Sequence, residues 1–372
     1  MVPVPASERY VGLTLTREGL ASQKLAKSVR IALIGTFGAR PDEGMRKLCA
    51  QFESAARQHH DVMTLQTGDF CKGRSWNTLR RFGPRCLHYV NGPSIFSLVA
   101  LKFHQLTLPG RPVTLATGLR PYLGRAGRSL LRWLAPDVYL AQSRRWQRLF
   151  AAAGSRTSDL PNAVDTTRFV PVTPDHRRAL KARWDILQDK PVVLHVGHIR
   201  ENRHLESLLE VQRSGRYQVW IVASESQSQP GPRRDGLEAA GCRLHTRFVP
   251  AIEEVYQAAD AYVFTVRVPA GDQFPRHYRQ VGAIDMPLSI LEAMACGLPV
   301  VTTRQETIEY FCGPVRGLRT FDGTGRDCLE QLDALRGTPV ETRPAALRFD
   351  LARVMDQLDA FYARVATEWS LP

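Results

Sequence analysis

Glu292 has the setting that most suggests chemistry. It lies in Gly282–Thr303, GAIDMPLSILEAMACGLPVVTT, where an apolar helical run follows a proline. Pro287 suits the first helical position. Glu292 then falls one turn above the residues whose N–H groups open the helix. A carboxylate there can accept bonds from two vicinal hydroxyls, as on a ribose, while the N–H groups hold a phosphate. Ala293, Ala295 and Gly297 are small and permit close approach of another backbone. Taken alone, the periodicity favours a surface glutamate on an amphipathic helix. A second candidate follows the apolar run Pro191–Gly197 (PVVLHVG), in the stretch His198 to His204. A cation beside a strand-to-helix turn can meet a phosphate, helped by the next helix N-terminus. Arg203 is the best placed, because its planar fork suits a diphosphate. A merely basic loop fits that stretch equally well.

These residues need strands that end near them. Val29–Gly35 (VRIALIG) reads as a buried strand followed by a loop and a helix from Gly44. Further short strands are expected at Asp61–Leu65, Cys86–Val90, Val113–Ala116 and Asp137–Ala141, with helices such as Ser94–Phe103 and Arg144–Ala153 between them. The alternation restarts at Pro191–Gly197, with strands at Tyr217–Ala223, Arg243–Val249, Ala261–Val266 and Pro299–Thr303. Helices are expected at His204–Arg213, Ile252–Ala259, Leu288–Ala295 and Thr307–Phe311. Two α/β units with parallel sheets follow, joined around the proline-bearing Asp165–Asp175. Ala345–Thr367 carries apolar residues at helical spacing and reads as one long terminal helix. In open sheets of this kind ligands bind beyond the carboxyl ends of the strands, so a cleft between the units is the expected site.

The 372 residues suit two domains. No apolar run reaches the roughly 18 residues that span a bilayer, and the first 28 residues lack the apolar core of a signal peptide. Seven cysteines without a C-x-x-C pair argue against a disulfide framework and a thiolate zinc site. They point to a reducing, cytoplasmic compartment. The scattered histidines show no metal-ligand spacing and read as surface or satisfied interior residues. There is no G-x-S-x-G elbow, P-loop or G-x-G-x-x-G fingerprint, so hydrolase, NTPase and dinucleotide oxidoreductase readings lack support. The net charge of +14 is one-sided. Residues 1–170 carry 25 Lys and Arg against 10 Asp and Glu, giving +15, and the remainder carries 25 against 26. A field of that sign suits a membrane surface, a phosphorylated substrate or a nucleic acid, or is simply a solvated arginine-rich surface. In Arg120–Phe150, Arg125, Arg128 and Arg132 recur at helical spacing beside Leu123, Leu130, Leu131, Trp133 and Leu134. That is the pattern of a helix lying in a headgroup plane, and equally of one whose apolar residues face the domain core under solvated arginines, with Trp133 the member most expected in the core.

Gly282–Thr303 resembles the donor-binding signature of the retaining family-4 glycosyltransferases of GT-B fold, LEAMACGLPVV being very close to their common wording. Pro161–Phe169 (PNAVDTTRF) is similar to their PNGVD-x-x-x-F stretch, and Tyr256–Asp260 (YQAAD) to their Y-x-A-A-D. Gly197 to Arg203 stands where they carry G-R…K. The blocks occur in the right order, strongly over about 160–312 and more weakly over 29–160. The resemblance implies two Rossmann-like parallel-sheet domains facing across a cleft. On this reading an extension (1–28) precedes an acceptor-side domain (29–168). A linker (169–176), a nucleotide-sugar domain (177–345) and a helix (346–372) returning to the first domain follow. It implies sugar transfer from a nucleotide-diphosphate sugar to an acceptor hydroxyl with retention, without metal or cofactor. The transferred group would be a hexosyl or N-acetylhexosaminyl unit. Carried across, Glu292 binds the ribose, and Arg203 the diphosphate with His198 beside it. The amides of Leu288 and Ser289 face phosphate or sugar, Val249 lies near the base, and Gly44 opens a helix toward the donor phosphate.

The departures are specific. Ile284 stands where the family has the first glutamate of its Glu-x7-Glu motif, and Asp285 is the expected substitute. Pro287 has no N–H to donate, and His198 replaces an arginine. Asn91 and Thr117 stand where an N-terminal-domain histidine is usual, Ser224-Glu225-Ser226 replaces a G-x-G, and Arg267–Gln280 lengthens a loop. With no clear nucleophile, front-face attack is the working mechanism and a double displacement through Asp285 the alternative. A nucleotide-sugar epimerase on the same fold is a second function class, and a nucleic-acid-binding protein a third without motif support. The expected partners are thus a nucleotide sugar, a lipid-linked or anionic acceptor and an anionic membrane on its inner face, not nucleic acid.

Overall fold

The computed structural model describes residues 28–38, 44–119, 121–187, 189–200, 203–223, 231–266 and 286–367. Asp285, Ile284, the loop Arg267–Gln280 and Ser224–Ser226 lie outside the described residues.

The first domain runs β1 (Arg30–Gly35), α1 (Gly44–His59), β2 (Asp61–Gln66), α2 (Thr67–Phe70), α3 (Arg74–Phe82), β3 (Cys86–Tyr89), α4 (Ile95–Thr107), β4 (Val113–Thr117), α5 (Arg125–Leu134), β5 (Val138–Ala141), α6 (Arg144–Ala152) and β6 (Arg156–Asp159). The second runs α7 (Pro174–Arg183), β7 (Val192–Val196), α8 (Glu206–Arg213), β8 (Gln218–Val222), α9 (Pro232–Ala239), β9 (Arg243–His245), α10 (Ile252–Ala258), β10 (Ala261–Phe264), α11 (Leu288–Ala295), β11 (Val300–Thr303), α12 (Glu306–Cys312), β12 (Leu318–Phe321), α13 (Gly325–Leu335) and α14 (Thr342–Ala346), before α15 (Leu351–Thr367).

Each domain holds one six-stranded sheet, ordered β2-β1-β3-β4-β5-β6 and β12-β11-β10-β7-β8-β9, and all the pairs are parallel. The central strands are largely apolar and inaccessible: Ile31, Leu33 and Ile34 in β1, Val192, Val193 and Leu194 in β7. Burial on both faces is what a parallel sheet between two helix layers requires. The order of strands reverses between β1 and β3 in the first sheet and between β7 and β10 in the second. Those are the points where loops diverge and leave a crevice.

Several expectations are corrected. The expected strand Arg243–Val249 stops at His245, and Val249 is packed in the core with Val255 and Tyr256. Pro287 is the residue before the helix, in an extended conformation (φ −64°, ψ 123°), and Leu288 is the first helical residue. The terminal helix is broken at Leu347–Asp350. There Val164 N–H donates to Phe349 O (2.9 Å) and Leu351 N–H donates to Val164 O (2.9 Å), drawing the backbone out of its helical ladder. Beyond the break Val354, Met355, Leu358, Tyr362 and Val365 of α15 join the first domain's core with Leu33, Phe52 and Val90. Trp133 is 56% exposed rather than in the core.

Candidate functional site

The two domains meet through several contacts, some of them at the start of α11. Leu288, the first residue of α11, packs with the first domain's core. Asn162, from PNAVD, donates through Nδ2 to Met286 O (2.6 Å) and accepts from Gln142 Nε2, so this buried amide ties the two domains immediately before α11. Tyr310 OH donates to Asp159 Oδ2 (2.5 Å) at another point of the boundary. Asp260, the acid of the YQAAD block, is structural: it accepts from Lys181 Nζ (2.5 Å) and Val192 N–H (2.7 Å), fixing α7 and β7 beside α10.

Glu292 is buried on α11, with 6% of its surface accessible. Its Oε2 accepts from Tyr256 OH (2.8 Å) and its Oε1 from Lys47 Nζ, which comes from α1 across the boundary. Lys47 also lies over the Phe169 ring, 5.0 Å from its centroid. Burial, reinforced by the Glu292 charge, holds the Tyr256 hydroxyl well above its usual range, so it stays a donor. Each carboxylate oxygen has two lone pairs. One bond to each oxygen therefore leaves capacity for two further donors. Sequence reasoning missed Lys47, because a lysine in the first turns of a surface helix has no local mark of a partner 245 residues away.

Arg203 is buried at the carboxyl ends of β7 and β10, its guanidinium 5.7 Å from the Phe264 ring centroid. Its carbonyl accepts from Thr265 Oγ1, and the next residue, His204, has φ 49°, a conformation non-glycine residues seldom adopt. The turn is thus held from β10. Below it His195 is fully inaccessible, its Nδ1 2.9 Å from Val263 O. Burial, with the charges of Arg203 and His198 adding to it, lowers the His195 pKa to about 4. The imidazole is neutral, with Nδ1–H donating to that carbonyl. Gly197 allows this packing, since a Cβ there would stand 2.8 Å from His195 Nε2. His198 is partly buried at the same strand end.

Leu288 and Ser289 form the first turn of α11, and Ser289 hydrogen-bonds the Tyr262 hydroxyl. First-turn N–H groups have no acceptor within their own helix. Gly44 is the first residue of the sixteen-residue α1. Glu292, Lys47, Leu288 and the Ser289–Tyr262 pair are thus assembled around α11, with Arg203 coupled to Tyr262 by charge.

Among the described residues the polar side chains bonded together at the first sheet's switch point are neutral. Asn91, after β3, donates through Nδ2 to Thr36 Oγ1 (2.6 Å) and Thr67 Oγ1 (3.1 Å), and its Oδ1 lies 3.3 Å from Cys49 Sγ. His88 is not at a strand end but inside β3, between Tyr362 OH (2.7 Å) and Thr117 Oγ1 (2.6 Å). Burial lowers its pKa to about 3. It is a satisfied interior histidine, as the sequence reading expects of most of them. Among the described residues no group of three or more His, Cys, Asp or Glu side chains can hold a metal ion.

Residues 190–319 match the family described as Glycosyl transferases group 1. No curated protein matches the chain in sequence. Among solved structures it is similar to a sucrose-phosphate synthase from Thermosynechococcus elongatus, with 14% identity, 91% of this chain and 99% of that one covered, and a TM-score of 0.70. A glycosyltransferase from Rickettsia africae gives 12% identity, coverages of 92% and 99%, and a TM-score of 0.69. Anabaena HepE in complex with UDP and glucose gives 15% identity, coverages of 90% and 99%, and a TM-score of 0.66. The fold is GT-B, two Rossmann-like parallel-sheet domains.

Proposed function

We propose that this protein is a retaining glycosyltransferase that takes a hexosyl or N-acetylhexosaminyl group from a nucleotide-diphosphate sugar, without a metal ion. The observation that carries this reading is the buried Glu292 carboxylate at the domain boundary, within the segment that matches the glycosyl transferase family. Its remaining lone pairs suit the paired hydroxyls of a ribose. That HepE was solved with UDP and with UDP-glucose supports a donor of this class.

In the proposed reaction the diphosphate leaves as negative charge develops on it. Arg203, the first-turn amides of Leu288 and Ser289 and those of α1 from Gly44 supply preorganised positive potential. His198 borders this site, and Val249 lies behind the base. His195, neutral beneath Arg203, adds no competing charge. Retention follows from attack on the face the diphosphate leaves, a donor phosphate oxygen taking the acceptor proton. Trapping of a glycosyl–Asp285 adduct would replace this step by a double displacement.

The test is calorimetric titration with UDP and with GDP. Loss of a charge-assisted hydrogen bond to a buried ligand costs roughly 1.5–3 kcal/mol. Glu292→Ala should therefore weaken binding of the preferred nucleotide by about tenfold or more while circular dichroism is retained. Unchanged affinity in a folded variant removes Glu292 from the donor site.

A further inference from the structure

Nine large apolar side chains stand out as exposed among the described residues, and seven belong to α4, α5 and the turn that leads into α5. On α4 they are Phe96, Val99, Phe103 and Leu106, at intervals of three, four and three, which is a single stripe along one side of the helix. Phe96 is 79% exposed. The opposite side of α4, with Leu98, Leu101 and His104, is buried against the domain, so the stripe is surplus to the core. Leu130 and Trp133 extend the patch onto α5. The helices are neighbours: Ile95 Cβ lies 3.6 Å from where a Cβ on Gly127 would be, and Tyr122 N–H donates to Pro93 O (2.8 Å).

The charge along this stretch of chain is positive, with Asp69 and Asp137 at its two ends, the latter bonded to Gln105 on the buried side of α4. From Phe70 to Pro136 the chain has eleven Lys and Arg and no Asp or Glu. Arg132 is exposed and stacks 3.7 Å from the Trp133 ring centroid, and Arg128 lies one turn earlier on α5. Arg80 and Arg81 of α3 and Arg111 beyond α4 are exposed. The α3 helix is joined to the end of α4 by a bond from Trp76 Nε1 to Thr107 Oγ1 (3.0 Å).

We propose that the α4–α5 face docks on an anionic lipid bilayer, the stripe entering the headgroup region and the surrounding arginines meeting lipid phosphates. A helix with aromatic and aliphatic bulk on its outer side and cations beside it is suited to lie in that plane, and each basic residue adds attraction to an anionic leaflet. Charge also argues against a second copy as occupant, because two such faces would oppose like charges across the contact. The attachment is peripheral: no helix of the described residues is long and apolar enough to cross a membrane. Docking does not depend on the proposed sugar transfer. Its corollary, that the acceptor hydroxyl is carried on a lipid, does rest on that reading.

The experiment is flotation of the full chain with vesicles of phosphatidylcholine alone and of phosphatidylcholine mixed with phosphatidylglycerol, at low and high ionic strength. Binding is expected only to the anionic vesicles, fading with salt. Phe103→Ser with Trp133→Ser, and separately Arg128→Glu with Arg132→Glu, should each weaken it by about tenfold or more. Nucleotide titration of the same variants should be unchanged, which shows that they fold and separates failure of docking from failure of the donor assignment. Absence of binding to anionic vesicles at low salt overturns the proposal. So does binding that both paired variants leave intact. Sedimentation showing concentration-dependent association, abolished by Phe103→Ser with Trp133→Ser, would assign the face to a second copy instead.

Discussion

At the first sheet's switch point, between β1 and β3, the described residues include Thr36, Thr67, Asn91 and Cys49, neutral groups that Asn91 links by hydrogen bonds. At the second sheet's, between β7 and β10, Arg203 stands over a neutral His195 and beside Tyr262, with Glu292 on the next helix. Gly35 ends β1 and Gly197 directly follows β7, and against each a neighbouring side chain is packed. One topology thus carries two chemistries. Neutral donors and acceptors suit a hydroxylated group, whereas fixed charges at a strand end suit an anion. Lys47 links these settings, carrying a cation from the first domain to Glu292.

The largest effect expected from this contrast is on turnover. Removing one preorganised donor to a developing anion typically costs 10²–10³ in rate, roughly 3–4 kcal/mol. Arg203→Ala should lower turnover of the nucleotide sugar by about a hundredfold or more, and weaken the phosphate-free nucleoside far less. Asn91→Ala should leave nucleotide affinity unchanged and act on the acceptor's KM. Steady-state kinetics with nucleoside competition reads both. Equal losses for nucleoside and nucleotide sugar would make Arg203 structural, and a nucleotide defect in Asn91→Ala would erase the contrast.

The asymmetry also governs how much could be read from sequence. The central strands were legible, because Ile31–Ile34 of β1 and Val192–Leu194 of β7 are apolar runs with a glycine, Gly35 or Gly197, at or just after the strand end. The edge strands β6 (RTSD) and β12 (LRTF) were not: each has one neighbour, and polar side chains such as Arg156, Arg319 and Thr320 erase the pattern. Arg203 was singled out as a cation just after a strand, and Glu292 only through the resemblance carried by LEAMACG, since periodicity alone favours a surface glutamate. What Glu292 touches was not legible, since Lys47 and Tyr256 arrive from separate elements through tertiary packing. Trp133 was misread for a related reason. Leu131 fills the buried side of α5, so the tryptophan two residues on is turned outward, and helical spacing does not say which of two apolar sides the core takes.

A second, intermediate effect compares His88 and His195. Burial lowers the first to about 3 and the second to about 4, from an ordinary value of 6.5. Between those values and 6.5 the unfolded chain binds protons that the folded one refuses. Stability is therefore full above about pH 6.5 and falls as pH drops, by roughly 1.4 kcal/mol per pH unit for each proton taken up on unfolding. The urea midpoint should fall between pH 7 and pH 5. His88→Gln should flatten that dependence for the first domain with α15, which Tyr362 anchors there, and His195→Gln for the second domain. Tryptophan fluorescence and circular dichroism at each pH report the transitions, and a midpoint that does not move between pH 7 and pH 5 contradicts both assignments.

The smallest effect sharpens the comparison at the paired glycines. A Cβ on Gly35 would stand 2.7 Å from Cys49 Sγ and 3.1 Å from the Phe37 ring, and one on Gly197 2.8 Å from His195 Nε2. Neither glycine has a left-handed φ, so the obstacle is contact rather than backbone strain. Overpacking of this kind costs about 1–3 kcal/mol. The obstacles differ in how they yield. Cys49 Sγ is one atom on a short side chain, and Phe37 lies beyond the strand end with its ring only partly buried. The His195 ring is wholly enclosed and anchored at 2.9 Å to Val263 O. Gly197→Ala should therefore lower the urea midpoint more than Gly35→Ala. Adding Cys49→Ala to Gly35→Ala should recover part of the loss, a non-additive pair because the second change removes the atom the first one strikes. Adding His195→Ala to Gly197→Ala should deepen it, since it empties the space of a buried ring. If both double variants are additive, the two glycines are conserving something other than these contacts.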